Sequence, residues 1–281
     1  MSARVFKFMA GQSYHLDGLK NDQVYFSSFD ELNDPYEGLM HYCERGITHT
    51  QRMAALTQKL NQDHQNVREA RKEADKLLRK LGKERFNQHI DAISKLEFED
   101  FLKYHKGQRF VLSLSKAYSP DQFPDPLDSM MMWGHYGNGM KGLCVEYNFE
   151  ALRQSINALN EINLTTRKVV YSKSALPVVR ATTLLDDLAM STHQTSNEIL
   201  NAFCTKQVSW NYENEVRLIS PKHKLNDIDE TSMTRVFVAA KNQQLMENVV
   251  DILKLKTHKP KLFEVVTQPK NYGVGFKEIN Y

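Results

Sequence analysis

Trp210-Asn-Tyr-Glu-Asn-Glu-Val-Arg-Leu-Ile-Ser-Pro221 sets two carboxylates two residues apart at the mouth of an apolar strand. In extended backbone, residues i and i+2 project to the same face, so Glu213 and Glu215 are expected to point into one site. Two like charges on one face cost energy unless the site has a use for them, such as stabilising a cation or gripping a ribose through its hydroxyls. Arg217, two residues further on, offers a plain structural alternative in which it neutralises Glu215 on a solvated strand. Trp210 and Tyr212 stand beside the acids and would form a partly desolvated wall against which an aromatic ring could stack.

Outward from this strand, Val5-Phe-Lys-Phe8, Gln23 to Ser28, Arg109 to Ser115, Gly142 to Tyr147 and Lys168 to Tyr171 read as strands. So do Arg235 to Val238, Leu262 to Val266 and Tyr272 to Ile279. Helical patterns fall at Phe149 to Ile162, Ala181 to Lys206 and Asn242 to Leu255. Residues 9–22 read as a polar stretch, and Tyr118 to Asp128 as a loop rich in proline and aspartate. No repeating strand-helix-strand rhythm appears, which favours an α+β fold over a doubly wound sheet.

From about Thr48 to Lys103 the pattern turns helical. Met53, Leu56, Leu60, Val67, Ala70, Ala74, Leu77 and Leu81 mark one face of a long helix that Gly82 ends or kinks, and a second helix follows through Ile90, Ile93 and Phe98. Between Thr50 and Arg85 ten basic residues face five acidic ones, a local excess of +5 against +3 for the whole chain. The expected organisation is one domain over 1–281 with a basic helical arm, a hairpin, inserted at 48–105. Such an arm grips phosphates or is a solvated amphipathic arm packed on the core; spacings such as Glu69 with Lys72 and Asp75 with Arg79 fit the latter.

A composition of 41% hydrophobic and 10% aromatic residues over 281 positions is ordinary for a globular chain. No window approaches the roughly 18 to 20 apolar residues of a membrane helix, and the first residues lack a secretory signal's apolar middle. The expectation is a cytoplasmic protein without a membrane partner. Three scattered cysteines, Cys43, Cys144 and Cys204, suggest neither a disulfide framework nor a zinc ribbon. His41 and Cys43 lack a second ligand pair at metal-site spacing, so no metal is expected. Gly137-Asn-Gly-Met-Lys-Gly142 matches the dinucleotide pattern but precedes a strand, so it reads as a turn. No G-x-S-x-G elbow is present.

Several separated motifs carry a family resemblance. Val5-Phe-Lys-Phe8, Val24-Tyr-Phe-Ser-Ser28 with Leu32-Asn-Asp-Pro-Tyr-Glu37, Met132-Trp-Gly-His-Tyr136 with Gly142 to Tyr147, and Trp210 to Leu218 resemble the landmarks of a bacterial domain family of unknown function. Through its Glu-x-Glu strand and its layout of strands and helices, that family resembles the ADP-ribosyltransferases. The resemblance implies an ADP-ribosyltransferase-like mixed β core, NAD as co-substrate and catalysis by Glu215 and Glu213. Glu215 would hold the nicotinamide ribose and stabilise the oxocarbenium ion, and Glu213 would orient or deprotonate the acceptor.

On the same resemblance, Lys7 takes the place of an arginine or histidine that binds NAD, keeping the charge without the bidentate fork. The second NAD landmark falls by order on Ser27, Ser28 and Tyr36, with Ser113-Leu-Ser115 as rival. Trp133, His135 and Tyr136 line the cleft or form core. The acceptor is expected to be a macromolecule, nucleic acid (single-stranded RNA above all) favoured over protein. A toxin or phage-defence role, with an antitoxin or inhibitor protein as partner, is what such transferases often imply. The rivals are an NAD glycohydrolase and a non-catalytic nucleic-acid or protein binding module.

Overall fold

Each apolar alternation read as a strand becomes one or more strands in the computed structural model, which describes residues 3–117, 125–190, 192–222, 224–270 and 272–281. In chain order the first half runs β1 (Arg4–Met9), α1 (Ser13–Lys20), β2 (Gln23–Tyr25), β3 (Ser27–Ser28), β4 (His41–Cys43), α2 (His49–His64), α3 (Val67–Leu81), α4 (Lys83–Gly107), β5 (Phe110–Lys116), α5 (Met130–His135) and β6 (Leu143–Asn148). It continues with α6 (Phe149–Leu159), β7 (Thr165–Lys168), β8 (Val170–Ser172), β9 (Val178–Arg180), α7 (Ala181–Met190), α8 (Gln194–Ala202) and β10 (Thr205–Gln207). The last stretch is β11 (Glu215–Ser220), β12 (Leu225–Asp227), β13 (Met233–Ala239), α9 (Gln243–Leu255), β14 (Lys261–Thr267) and β15 (Val274–Ile279). The fold is mixed α+β. Of the loop expected at Tyr118 to Asp128, residues 118–124 lie outside the described residues.

The chain divides into two compact units, one of residues 1–32, 109–171 and 206–281, the other of 33–108 and 172–205. The first is built on a nine-stranded sheet ordered β15-β14-β13-β6-β1-β5-β11-β7, with β3 also paired to β5. Only β13 and β14 run parallel among its pairings; the others are antiparallel. On one face Val5, Leu112, Leu114, Val145, Val216 and Leu218 pack with residues of α1, α6 and α9. On the other, Phe6, Phe8, Cys144 and Phe237 pack against Met132 and Trp133 of α5. Both cores follow from the period-2 alternation of the strands.

In the second unit α2, α3, α4 and α7 share a core of Met53, Leu56, Ala74, Phe86, Ile90 and Leu185. Residues 48–105, expected as a hairpin, fold as three helices. The long helix expected through Leu81 breaks at Gln65, which adopts a left-handed φ of 51°. Asn66 then restarts it, its side chain accepting from the Arg68 and Glu69 amides at 3.0 and 3.3 Å. Gly82, with φ 76°, separates α3 from α4, as its position suggested.

Other departures from the sequence reading have similar local causes. The stretch 9–22 contains α1, whose start is capped by the Gln12 amide donating to His15 Nδ1 at 3.1 Å. The strand expected at Gln23 to Ser28 splits at the fully buried Phe26, β2 pairing with β12 and β3 with β5. The helical stretch after Ala181 is two helices, with Asp187 accepting from the Gln194 and Thr195 amides at 3.1 and 2.6 Å. Gly137 to Gly142 form the turn expected, leading into β6. A Cβ on Gly142 would lie 2.2 Å from the Met9 carbonyl oxygen, so close approach of backbone explains that glycine without a dinucleotide.

Candidate functional site

Glu213 is not part of the strand, contrary to the expectation that both glutamates lie on extended backbone. It ends a 3-10 helix, Val208–Glu213, and Asn214 follows in the left-handed region at φ 41°. Asparagine tolerates this conformation better than most residues. Its side-chain amide donates to the Lys116 carbonyl at 2.8 Å and so ties the bend to β5. Glu215 then opens β11, an interior strand between β5 and β7 whose six residues are all buried, and not a solvated edge.

The bend still brings the two carboxylates together. Lys206 Nζ stands 2.8 Å from Glu213 Oε2 and 2.8 Å from Glu215 Oε2. Arg217 donates from Nε to Glu215 Oε1 at 2.8 Å and from an η nitrogen to Oε2 at 3.2 Å. The Tyr136 hydroxyl donates to Glu213 Oε1. Lys206, Glu213, Glu215 and Arg217 have side-chain exposures of only 4, 4, 3 and 0%. Two anions and two cations make this a neutral, dry cluster in which every pairing is charge-assisted.

Burial pushes the Glu213 carboxyl above its usual range, with Glu215 adding to the rise and Lys206 opposing it. Burial alone would lower the Lys206 ammonium, but Glu215 and Glu213 outweigh it and hold its pKa up. Behind the strand, the Glu215 amide donates to the Tyr171 hydroxyl at 2.9 Å. Burial raises that phenol above its ordinary value.

An aromatic group sits over the acids. His135, Trp210 and Tyr212 are mutually 5.9–6.2 Å apart between ring centroids, and His135 Nδ1 lies 2.7 Å from the Tyr212 hydroxyl. Lys206 Nζ lies 5.6 Å from the Trp210 ring centre, within cation–π range. Burial, with Glu213 nearby, pushes the Tyr212 phenol up to about 12. His135 is exposed and the other two rings are half-buried, so the group faces solvent on one side and the ionic cluster on the other.

The remaining candidates scatter. Trp133 is fully buried, its indole donating to the Leu127 carbonyl at 2.8 Å and its ring edge-on to Phe8, so it belongs to the core and does not line a cleft. Lys7 follows Phe6, which shares a face with Ser115 and Glu215, so Lys7 lies on the opposite face. Between its pairings with β1 and β3 one edge of β5 is open, and Lys7 Nζ donates there to the Ser113 carbonyl at 3.2 Å. Burial lowers the Lys7 pKa, Glu215 raises it and Lys206 lowers it further.

Ser113 pairs with Arg217 across the strands, on the face of Glu215, and its buried Oγ has no partner among the described residues. Ser27 shares that face through Val111, whereas Ser28 is on the other and its amide is spent on Glu31 at 3.0 Å. Tyr36 is exposed in the second unit. Sequence reasoning missed Lys206 and Tyr171, since a lone lysine before a turn and a tyrosine ending a strand carry no pattern. Among the described residues no group of three or more His, Cys, Asp or Glu is placed to hold a metal ion.

A DUF2971 domain, a protein family of unknown function, matches residues 132–218. The matched stretch takes in His135, Tyr136, Lys206, Trp210, Tyr212, both glutamates and Arg217. No curated protein and no solved structure matches the chain. Among the described residues no helix is long and apolar enough to cross a membrane.

Proposed function

We propose that this chain has an ADP-ribosyltransferase-like core and moves ADP-ribose from NAD to a macromolecular acceptor. One observation carries the reading: Glu213 and Glu215 converge on a single point that already holds a cation, 2.8 Å from each carboxylate, beside three ring faces. With Lys206 displaced, two preorganised carboxylates aimed at one point in a dry setting would lower the barrier to a step that develops positive charge. The donor set also suits a pyridinium nucleoside, with ring faces for the base and carboxylate oxygens for ribose hydroxyls.

Glu215, fixed by Arg217 and by the hydrogen bond its backbone N–H donates to the Tyr171 hydroxyl, would hold the ribose and stabilise the growing charge. Glu213, its carboxyl raised by burial, suits the transfer of a proton from the acceptor. Lys206 occupies the point where that charge would develop, so its ammonium has to yield to the substrate. Ser113 supports the second landmark better than Ser28 does, because it shares the face of Glu215 with its hydroxyl unspent.

For the acceptor, the second unit supports nucleic acid over protein. Arg52 and Lys59 are paired with Asp91 and Glu97, and Arg71 with Asp75. Arg68, Lys72, Lys76, Arg79 and Lys80 of α3 are exposed and offer charge for phosphates. An activity of this kind suits a toxin or antiviral effector kept in check by an inhibitor protein.

A second reading, a binding module without catalysis, is favoured by the complete pairing and burial of the cluster. Incubation with NAD labelled in its adenylate half, with purified cellular RNA or cellular protein added separately, tests the first reading. Label fixed to RNA is the expected result; label fixed to neither speaks for the binding module.

A further inference from the structure

On the face of the sheet away from the Glu215 side chain, β1, β5, β11, β7 and the start of α6 enclose a cavity of about 230 Å³. Its apolar walls come from Val5, Phe149 and Val216; Lys116, Lys168, Thr166 and the bend residues Asn214 and Glu215 also line it. The register places these strand side chains together: Val5 pairs with Lys116, and Val216 pairs with Lys168. Lys116 and Lys168 are both exposed, on strands separated by β11, with Lys116 two residues further along than the level of Lys168, so their backbones are roughly 12 Å apart. Each has a stem long enough to bring its ammonium to a ligand held between them.

Among the described residues neither lysine is paired with a carboxylate. The nearest polar groups of the bend are already spent, the Asn214 amide on the Lys116 carbonyl and the Glu215 side chain on Lys206 and Arg217. Two uncompensated cations over an apolar floor are complementary to a ligand with a flat ring and a dianionic head. A monocarboxylate would offset only one of the two positive charges, whereas a phosphate monoester, carrying about −1.5 to −2 at neutral pH, matches both. The volume lies below the roughly 300–1,000 Å³ of drug-sized pockets, which suits one ring with one phosphate and is too small for a dinucleotide.

We infer that this cavity is a binding site for a ring-bearing phosphate monoester, of the class of nucleoside monophosphates, bordered by Glu215 but on the face of the sheet opposite its side chain, and independent of the NAD reading. The ring lies on Val5, Phe149 and Val216, the phosphate is held between Lys116 and Lys168, and the Thr166 hydroxyl adds a donor. Because Asn214 and Val216 border both the cavity and the bend, occupancy reaches the segment that positions Glu215.

The test is calorimetric titration of the full chain with AMP, GMP, CMP, UMP and inorganic phosphate, for the wild type and for Lys116→Ala/Lys168→Ala. Both lysines are exposed, so the double variant is expected to keep the wild-type unfolding midpoint. The inference expects one mononucleotide to bind with one-to-one stoichiometry, at least tenfold more weakly in the double variant, with inorganic phosphate weaker than the nucleotide. Lack of binding by all four nucleotides overturns it, and so does binding that the double variant leaves unchanged, which would place the ligand elsewhere. Inorganic phosphate binding as tightly as the nucleotides would remove the ring from the account.

Discussion

Lys206 shares its ammonium between two buried carboxylates, and its replacement would leave both facing each other. Removing one partner of a buried ionic group typically costs about 3–5 kcal/mol, because an uncompensated charge stays behind. Lys206→Met is therefore expected to lose about that much in urea unfolding at neutral pH. The sign of its pH dependence follows from Glu213. A carboxyl whose folded pKa is raised stabilises the fold while protonated and loses that contribution as pH rises through the folded value. Losing Lys206 raises Glu213 further, so the deficit of the variant should shrink as pH falls; a constant deficit would contradict the shared-cation geometry. The sequence made the glutamate pair and Arg217 legible, because i and i+2 spacing is a local property. It did not show that Glu213 leaves the strand, since only the left-handed Asn214 reveals the bend, nor that Lys206 closes the cluster.

Helix starts carry predictions of their own. His15 accepts the Gln12 amide at the start of α1, and burial, helped by the Lys7 charge, lowers its pKa to about 4. A histidine whose folded pKa is depressed favours the fold while neutral. That contribution is whole above the unfolded value of about 6.5 and is lost as pH falls toward 4. His15→Gln should flatten the fall of the thermal midpoint over that window, and parallel curves for the two proteins would remove His15 from the account. At the break between α2 and α3, Asn66→Ala should cost about 1 kcal/mol in denaturant unfolding, whereas no change would mean the cap is idle. Here the sequence was legible in phase but not in punctuation. The apolar stripe from Met53 to Leu81 serves both helices, so its periodicity runs on through Gln65 and Asn66 and hides the turn between them. Strand periodicity fared better because each strand is short and bounded by its own turns.

Across the whole molecule, the α+β class was readable from the irregular order of strands and helices, but the division into two units was not. The second unit joins residues 33–108 to 172–205, and sequence patterns do not register contacts between segments so far apart in the chain. The first unit holds the carboxylate pair, the rings and the lysine-flanked cavity, and the second carries the exposed basic face of α3. The proposed chemistry depends on Glu215, which is fixed by Arg217, Lys206 and Tyr171 and has the negative charge that glutamine lacks. The deciding measurement is the rate of nicotinamide release from NAD by wild type and by Glu215→Gln, with folding of the variant checked by circular dichroism. Loss of a preorganised electrostatic group of this kind costs about 100- to 1,000-fold, so the variant should release nicotinamide at least 100-fold more slowly. Release by the folded variant at the wild-type rate, or none from the wild type with RNA and protein present, would contradict the account.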